Sequence, residues 1–281
     1  MPVRLGRVKM TEDEVVNGTQ GAPATVESIK DNLAVLGVAP GMVLLVHSSL
    51  SSLGWVCGGP VTVVMALEAA LGPEGTLVMP THSGDLSEPS YWKHPPVPES
   101  WWPIIRGTMP AYDAKMTPTR GVGAIPECFR DQEGTRRSNH PSSSFSAWGR
   151  HADLVVDNHS LSHPMGDDSP LGRIYDLDGS VLMLGATFEC ASSLHLAEYR
   201  AKYPKKKEVK QGAPVMVEGR RAWAEFVEFD CDDSDFSAIG ASFVRDTGSV
   251  RTGQIANAKA YLFPQRAFVD HAVEWMEKNR R

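Results

Sequence analysis

Ser192-Ser193-Leu194-His195-Leu196-Ala197-Glu198-Tyr199 is the stretch whose residue types can do acid–base chemistry. It follows Val181-Leu182-Met183-Leu184-Gly185, an apolar run of strand length, and a short loop carrying Glu189. A histidine in the first turn of a helix feels the partial positive charge of the helix N-terminus. That charge disfavours imidazolium and leaves a neutral ring able to accept a proton. A carboxylate on the other ring nitrogen would fix the tautomer and stabilise the cation once it forms. Glu189 can reach the ring through the loop and first turn. Glu198, at i+3, is the rival partner, its plain reading being a helix-surface charge. Ser192 and Ser193 offer hydroxyl nucleophiles, but no G-x-S-x-G elbow surrounds them, and serine before a helix commonly caps it.

Other polar groups lie at predicted strand ends. Met42–Val46 and Gly75–Pro80 read as strands buried on both faces. They end in His47-Ser48-Ser49-Leu50 and Thr81-His82-Ser83-Gly84-Asp85, where open α/β sheets hold ligands. Gly58-Gly59-Pro60 opens a helix over about Val61–Leu71; its glycines let amides approach an anion, or simply make the turn. Arg136-Arg137 with Ser142–Ser144 suits a phosphate, or a solvated basic loop. His47, His82, His140 and Asp85 lack paired ligand spacing such as H-E-x-x-H, so no metal is expected. Asp85, Glu88, Glu225, Glu228, Asp230, Asp232, Asp233 and Asp235 can serve a polycationic ligand or form solvated surface.

The elements that must position these groups alternate helix, strand, helix, strand. A helix is expected over Val26–Leu36, stopped by Gly37, and another over Gly123–Arg130. A further helix is expected near Ala147–Leu154, a hairpin over 214–217 and 221–229 around Glu218-Gly219, and a last helix opening at Pro264. The fold class is α/β: a three-layer α/β/α sandwich around a central mixed or parallel sheet. Seven prolines between Pro89 and Pro118, with Trp92, Trp101 and Trp102, mark a long insertion of the kind that is more often functional than idle. Residues 1–24 read as a flexible arm and 25–281 as a single domain.

The chain has 281 residues, 42% of them hydrophobic and 22% charged, enough for a substantial core. The formal net charge of -6 argues against a nucleic-acid surface and suits cationic small molecules. Cys57, Cys128, Cys190 and Cys231 are widely spaced, which points to reduced thiols rather than a disulfide framework. No signal core or membrane span is visible, so a cytoplasmic location is expected.

Taken together these motifs resemble the aminoglycoside 3-N-acetyltransferase family, the acetyl-CoA-dependent resistance enzymes unrelated to the GCN5 type. The matching words, in order, are Val46-His47-Ser48-Ser49-Leu50, Gly75–Pro80, Thr117-Pro118-Thr119-Arg120, Arg137-Ser138-Asn139-His140-Pro141 with Ser144-Phe145, Ser169-Pro170-Leu171 and Ser193–Glu198. Gly253-Gln254-Ile255 and Val269–Trp275 follow, and the resemblance spans roughly 26–279. It implies transfer of the acetyl group of acetyl-CoA to the 3-amino group of a deoxystreptamine aminoglycoside, without a metal. His195 matches the family's catalytic histidine, and Glu189 falls where an acidic partner precedes it. His47, Ser48, Ser49, Leu50, Gly58, Gly59, Arg137, Ser138, His140 and Ser144 fall in segments that embrace the cofactor. The antibiotic pocket of the family is acidic, which brings in Asp85, Glu198, Glu225, Glu228 and Asp230. Relatives are often dimers, so a homodimer is expected, with no nucleic acid or membrane partner. Many relatives read His-Asp-Ser-Asn-Thr-Ser before the Leu-His pair, where this chain reads Phe188–Ser193. The alternatives are an N-acetyltransferase for another small amine, a serine hydrolase, and a non-catalytic drug binder.

Overall fold

The computed structural model describes residues 11–93 and 95–281. Helix α1 (Glu12–Gly18) opens them, although nothing in it is buried. Its start is made locally: Thr11 Oγ1 accepts from the Glu14 N–H at 3.2 Å, and the Glu14 carboxylate accepts from the Thr11 N–H at 2.7 Å. The Trp55 N–H donates to Thr19 Oγ1 at 2.7 Å, and Ala24 bridges to Val56. Residues 11–24 are therefore folded and tied down, a correction to the arm expected over 1–24. The first ten residues lie outside the described ones.

The chain continues through α2 (Val26–Leu36), β1 (Val43–Ser48), α3 (Pro60–Leu71) and β2 (Thr76–Pro80). The insertion carries α4 (Trp102–Thr108), and α5 (Ala124–Arg130) follows it. Next come β3 (Arg136–Arg137), β4 (Phe145–Gly149), α6 (Ala152–Val156), α7 (Pro170–Asp176), β5 (Ser180–Leu184) and α8 (Ser193–Arg200). The last third holds β6 (Glu208–Val217), β7 (Arg220–Phe229), α9 (Phe236–Thr247), β8 (Arg251–Ile255), β9 (Ala258–Pro264) and α10 (Gln265–Asn279).

The main sheet has the order β3-β4-β2-β1-β5-β9-β8. Its centre, β2-β1-β5, is parallel, and the flanking strands are antiparallel, so the sheet is mixed. Strand residues alternate between two cores. Leu44, Val46, Leu182 and Leu184 face α2, α3 and α5, while Leu45, Val181 and Met183 face α6 to α10. Each fully buried aliphatic side chain contributes about 2 kcal/mol. Helices on both faces of one sheet make the expected three layers.

Two expectations change. Phe145–Gly149 is a strand rather than the start of a helix, because Phe145 and Ala147 alternate into one core while the backbone pairs with β2. The helix there begins only at Ala152. The hairpin is longer than expected, with β6 starting at Glu208. At its turn Glu218 and Gly219 both take positive φ, 48° and 76°, as a two-residue turn between twisted strands requires. The insertion braces this hairpin: Arg221 Nε donates to the Met109 carbonyl at 2.9 Å, and the Tyr112 N–H donates to the Pro214 carbonyl at 3.1 Å. Among the described residues no helix is long and apolar enough to cross a membrane.

Candidate active site

The three parallel strands end side by side, and their carboxyl ends carry the histidines. β1 finishes in His47 and Ser48, β2 runs into His82, and β5 turns at Gly185 towards α8. Gly185 adopts φ 66°, and a Cβ there would strike Ser52. A 3-10 turn, Phe188–Cys190, leads to Ser192, whose N–H donates to His47 Nε2 at 3.3 Å. This contact ties the β1 end to the first turn of α8.

His195 stands in that turn, 4% exposed. Its Nδ1 lies 2.6 Å from Oε2 of Glu198, which is fully buried. A carboxylate can only accept, so Nδ1 carries the proton and Nε2 is left as the proton acceptor. The Phe236 ring packs against the imidazole, centroids 4.9 Å apart. Glu198 Oε1 accepts from Arg280 Nη1 at 2.7 Å and from the Asp232 N–H at 2.9 Å. Burial pushes the Glu198 carboxyl up, but the bonds from His195 and Arg280 outweigh it and hold the group below the usual carboxylate range.

The carboxylate on Nδ1 is thus Glu198, not Glu189. Glu189 accepts from Ser237 Oγ of α9 at 3.0 Å. The i+3 spacing on one helix brings Glu198 under the ring, and the fold buries it, so it is the histidine's partner rather than an open substrate contact. Ser192 makes no side-chain cap, and Ser193 Oγ is fully buried against Gln265 Nε2 at 3.1 Å. Neither hydroxyl stands as an exposed nucleophile.

His47 and His82 face His195 as neutral rings. Burial, and then the charge of His195, lowers His47 to about 4 and His82 to about 3. His82 Nδ1 donates to the Ser144 carbonyl at 3.2 Å, and its buried Nε2 has no hydrogen-bond partner among the described residues. Ser48 Oγ is likewise buried without one. Gly58 and Gly59 lie in the turn before α3 with φ 86° and 62°.

The donors expected around the cofactor at 137–144 are turned inward. Arg137 spends its Nε on Ser144 Oγ, its Nη1 on the carbonyls of Ala114 and Thr117, and its Nη2 on that of Thr81. Ser138, His140 and Ser144 are at most 1% exposed. They form an internal network that ties the insertion to the sheet, because backbone carbonyls left over from strand ends need donors. A cavity of about 580 Å³ opens instead beside the 185–188 turn, lined by Ser52, Gly185, Phe188, Ser237, Lys259 and Tyr261.

The acidic residues are dispersed. Asp85 pairs with Arg120, and Asp230 pairs with Lys207 at 3.0 Å. Glu225 is exposed on β7, whereas Glu228 turns inward on the opposite face, where burial raises its carboxyl. Sequence reasoning missed Arg280 and Cys231. Cys231 Sγ comes within 4.8 Å of ligand atoms of both His195 and Glu198, a grouping that could bridge a thiophilic ion. The guanidinium already on Glu198 opposes a second cation there.

The family description "Aminoglycoside 3-N-acetyltransferase" matches residues 45–277. The chain belongs to this family. It is therefore an acyltransferase acting on an amine. It is 45% identical over 258 residues to the SPbeta prophage-derived aminoglycoside N(3')-acetyltransferase-like protein YokD of Bacillus subtilis (strain 168), covering 92% of this chain and 94% of that one. It is 36% identical to aminoglycoside N(3)-acetyltransferase VIII of Streptomyces fradiae, covering 95% and 96%. The solved structure "AAC-IIIb binary with CoASH" superposes with a TM-score of 0.82 at 30% identity, covering 92% of this chain and 98% of that one.

Proposed function

We propose that the enzyme moves the acetyl group of acetyl-CoA to the 3-amino group of a deoxystreptamine aminoglycoside, with His195 as general base. The observation that carries this is the buried 2.6 Å contact between His195 Nδ1 and Glu198, which presents Nε2 as a proton acceptor. An aliphatic amine is protonated and non-nucleophilic near neutrality. It must give up one proton to solvent before it can attack; Nε2 takes a second from the nitrogen as it adds to the thioester carbonyl, and Glu198 stabilises the imidazolium that results. The tetrahedral oxyanion then collapses, the C–S bond breaks, and the departing thiolate takes the proton back from Nε2. The thioester is already activated, so no acyl-enzyme is needed.

Coenzyme A in a solved relative supports the donor, and the cavity lies at the turn that leads from β5 towards the histidine's helix. The net charge of -6 suits a polycationic acceptor. A thiol-release assay over a panel of aminoglycosides tests the reaction, and mass spectrometry with NMR of one product fixes the position acetylated. Thiol release from no member sinks the acceptor. His195→Ala is expected to lower kcat roughly 10²–10⁴-fold, and full activity in that variant sinks the mechanism.

A second acceptor class, another small amine, is favoured by the ion pairs that already occupy Asp85 and Asp230. An aminoglycoside blocked at its 3-amino group separates the two: undiminished turnover contradicts transfer to that nitrogen.

A further inference from the structure

Arg280 is the penultimate residue of the chain, just beyond the last turn of α10, yet its side chain is only 10% exposed. It reaches back across the domain to α8. Nη1 donates to Glu198 Oε1 at 2.7 Å and to the Tyr203 hydroxyl at 3.2 Å. Nε and Nη2 hold the Asp235 carboxylate at 2.8 and 2.6 Å, and Nη2 also donates to the Asp232 carbonyl at 2.7 Å. Tyr203 lies under the guanidinium plane, 5.1 Å from its ring centroid. A planar fork with fixed donors can meet both carboxylates at once, which a lysine could not.

The two oxygens of Glu198 are thereby divided: Oε2 serves His195, and Oε1 serves Arg280 together with the Asp232 N–H. This division fixes the carboxylate's rotation and sets a permanent positive charge behind it. Among the described residues the other groups facing the dyad are His47 and His82, both held neutral, Cys231, Glu228, Tyr199 and Tyr203, all pushed up by burial, and Lys206, which burial lowers. Asp232 and Asp235 are the acids on the far side of Arg280.

We infer that Arg280 is a positioning residue for the acetyl transfer: from the end of the chain it sets the orientation and effective charge of Glu198, and through it the basicity of His195. The inference rests on His195 being the base. With the guanidinium gone, Glu198 presents its full negative charge to the imidazole, so the ring becomes more basic and less well aligned.

The test compares Arg280→Met, Arg280→Lys, Asp235→Asn and His195→Ala in the full-length enzyme, with kcat, KM and the pH profile of kcat/KM as readouts. Arg280→Met is expected to lower kcat roughly 10- to 100-fold while KM for both substrates stays within about threefold. Its limb for histidine ionisation should move up by about one pH unit. Arg280→Lys keeps the charge and should restore most of that limb. Asp235→Asn weakens the other half of the clasp, so it should lower the melting temperature and leave the limb in place.

An unmoved limb and near-normal kcat in Arg280→Met, with His195→Ala inactive, overturns the inference and leaves the base intact. Equal movement in Arg280→Met and Asp235→Asn also overturns it, since the clasp would then act only through structure. Full activity in His195→Ala overturns the base itself. Should Arg280→Met not fold, the Lys and Asn variants carry the comparison: a limb that moves in Asp235→Asn and not in Arg280→Lys is the overturning result.

Discussion

Two buried histidines, His140 and His195, sit in polar networks beside the ends of the parallel strands, with opposite consequences. His140 is fully buried, and its ring nitrogens meet only backbone. Nε2 donates to the Leu161 carbonyl at 3.2 Å, and Nδ1 accepts from the Ser142 and Ser143 N–H groups at 3.3 and 2.9 Å. Burial, and then the neighbouring His159, lowers it to about 3, so it stays neutral and has no spare lone pair. His195 is nearly as buried, but its partner is a carboxylate, so a proton taken up on Nε2 meets a compensating charge. What a buried histidine can do is set by whether its partner is charged, not by burial or by strand-end position.

The largest expected effect comes from making the His195 partner neutral. In Glu198→Gln, Arg280 and the Asp232 N–H both demand an acceptor, so the amide oxygen turns to them and the NH2 faces Nδ1. Nδ1 must then accept, the ring proton moves to Nε2, and the base is lost. We expect kcat to fall between about 10² and 10⁴-fold with the fold retained. Steady-state kinetics checks this, and activity within threefold of the parent breaks the contrast with His140.

That substitution also shows where sequence reading ran out. The sheet core, the hairpin turn and His195 at the start of a helix all follow from local patterns: continuous apolar runs, Glu218-Gly219, and a polar word after a strand. Choosing Glu198 over Glu189 needs the burial of the helix face, which α8 acquires only when α9, α10 and the C-terminal Arg280 close over it. A capping role for Ser192 is a local reading; in the fold its backbone is already helical, φ -56° and ψ -27°, rather than extended as a capping serine's is, and its side chain makes no cap. Arg137 read as a phosphate donor because type and spacing look alike whether the acceptors are phosphate oxygens or the protein's own carbonyls. β4 read as helix because Ala147-Trp148 carries no strong strand signal until β2 pairs with it.

His140→Gln should cost about 1–3 kcal/mol at pH 7, because the amide meets the same backbone groups with poorer geometry. The sign with pH is set by its low value in the fold, about 3 against the ordinary 6.5 of a free histidine. Below pH 6.5 the unfolded chain binds a proton that the folded protein refuses, so the parent loses stability as pH falls from 6.5 towards 3. The slope is about 1.4 kcal/mol per pH unit for such a group. His140→Gln does not titrate, so its deficit should narrow as pH drops from 7 to 5. Urea denaturation at three pH values checks it; a constant gap means His140 is not held neutral.

The smallest effect is expected at Asp85. Its carboxylate pairs with Arg120, and both side chains are about half exposed, 57% and 45%. Ion pairs of this kind contribute about 0–1 kcal/mol, because water screens both charges and ordering two side chains costs entropy. Asp85→Asn should therefore leave the melting temperature within about 2 °C and kcat unchanged. Its KM for a polycationic acceptor measures whether the acid does more than hold Arg120. If the pair stays closed in the complex, KM stays within about threefold, since a rim charge acts mainly on encounter. If the acceptor's ammonium displaces Arg120, KM rises at least tenfold at low salt, and the rise shrinks as salt is added. That result would move Asp85 from the solvated rim to the acceptor site and weaken the case for another amine as substrate.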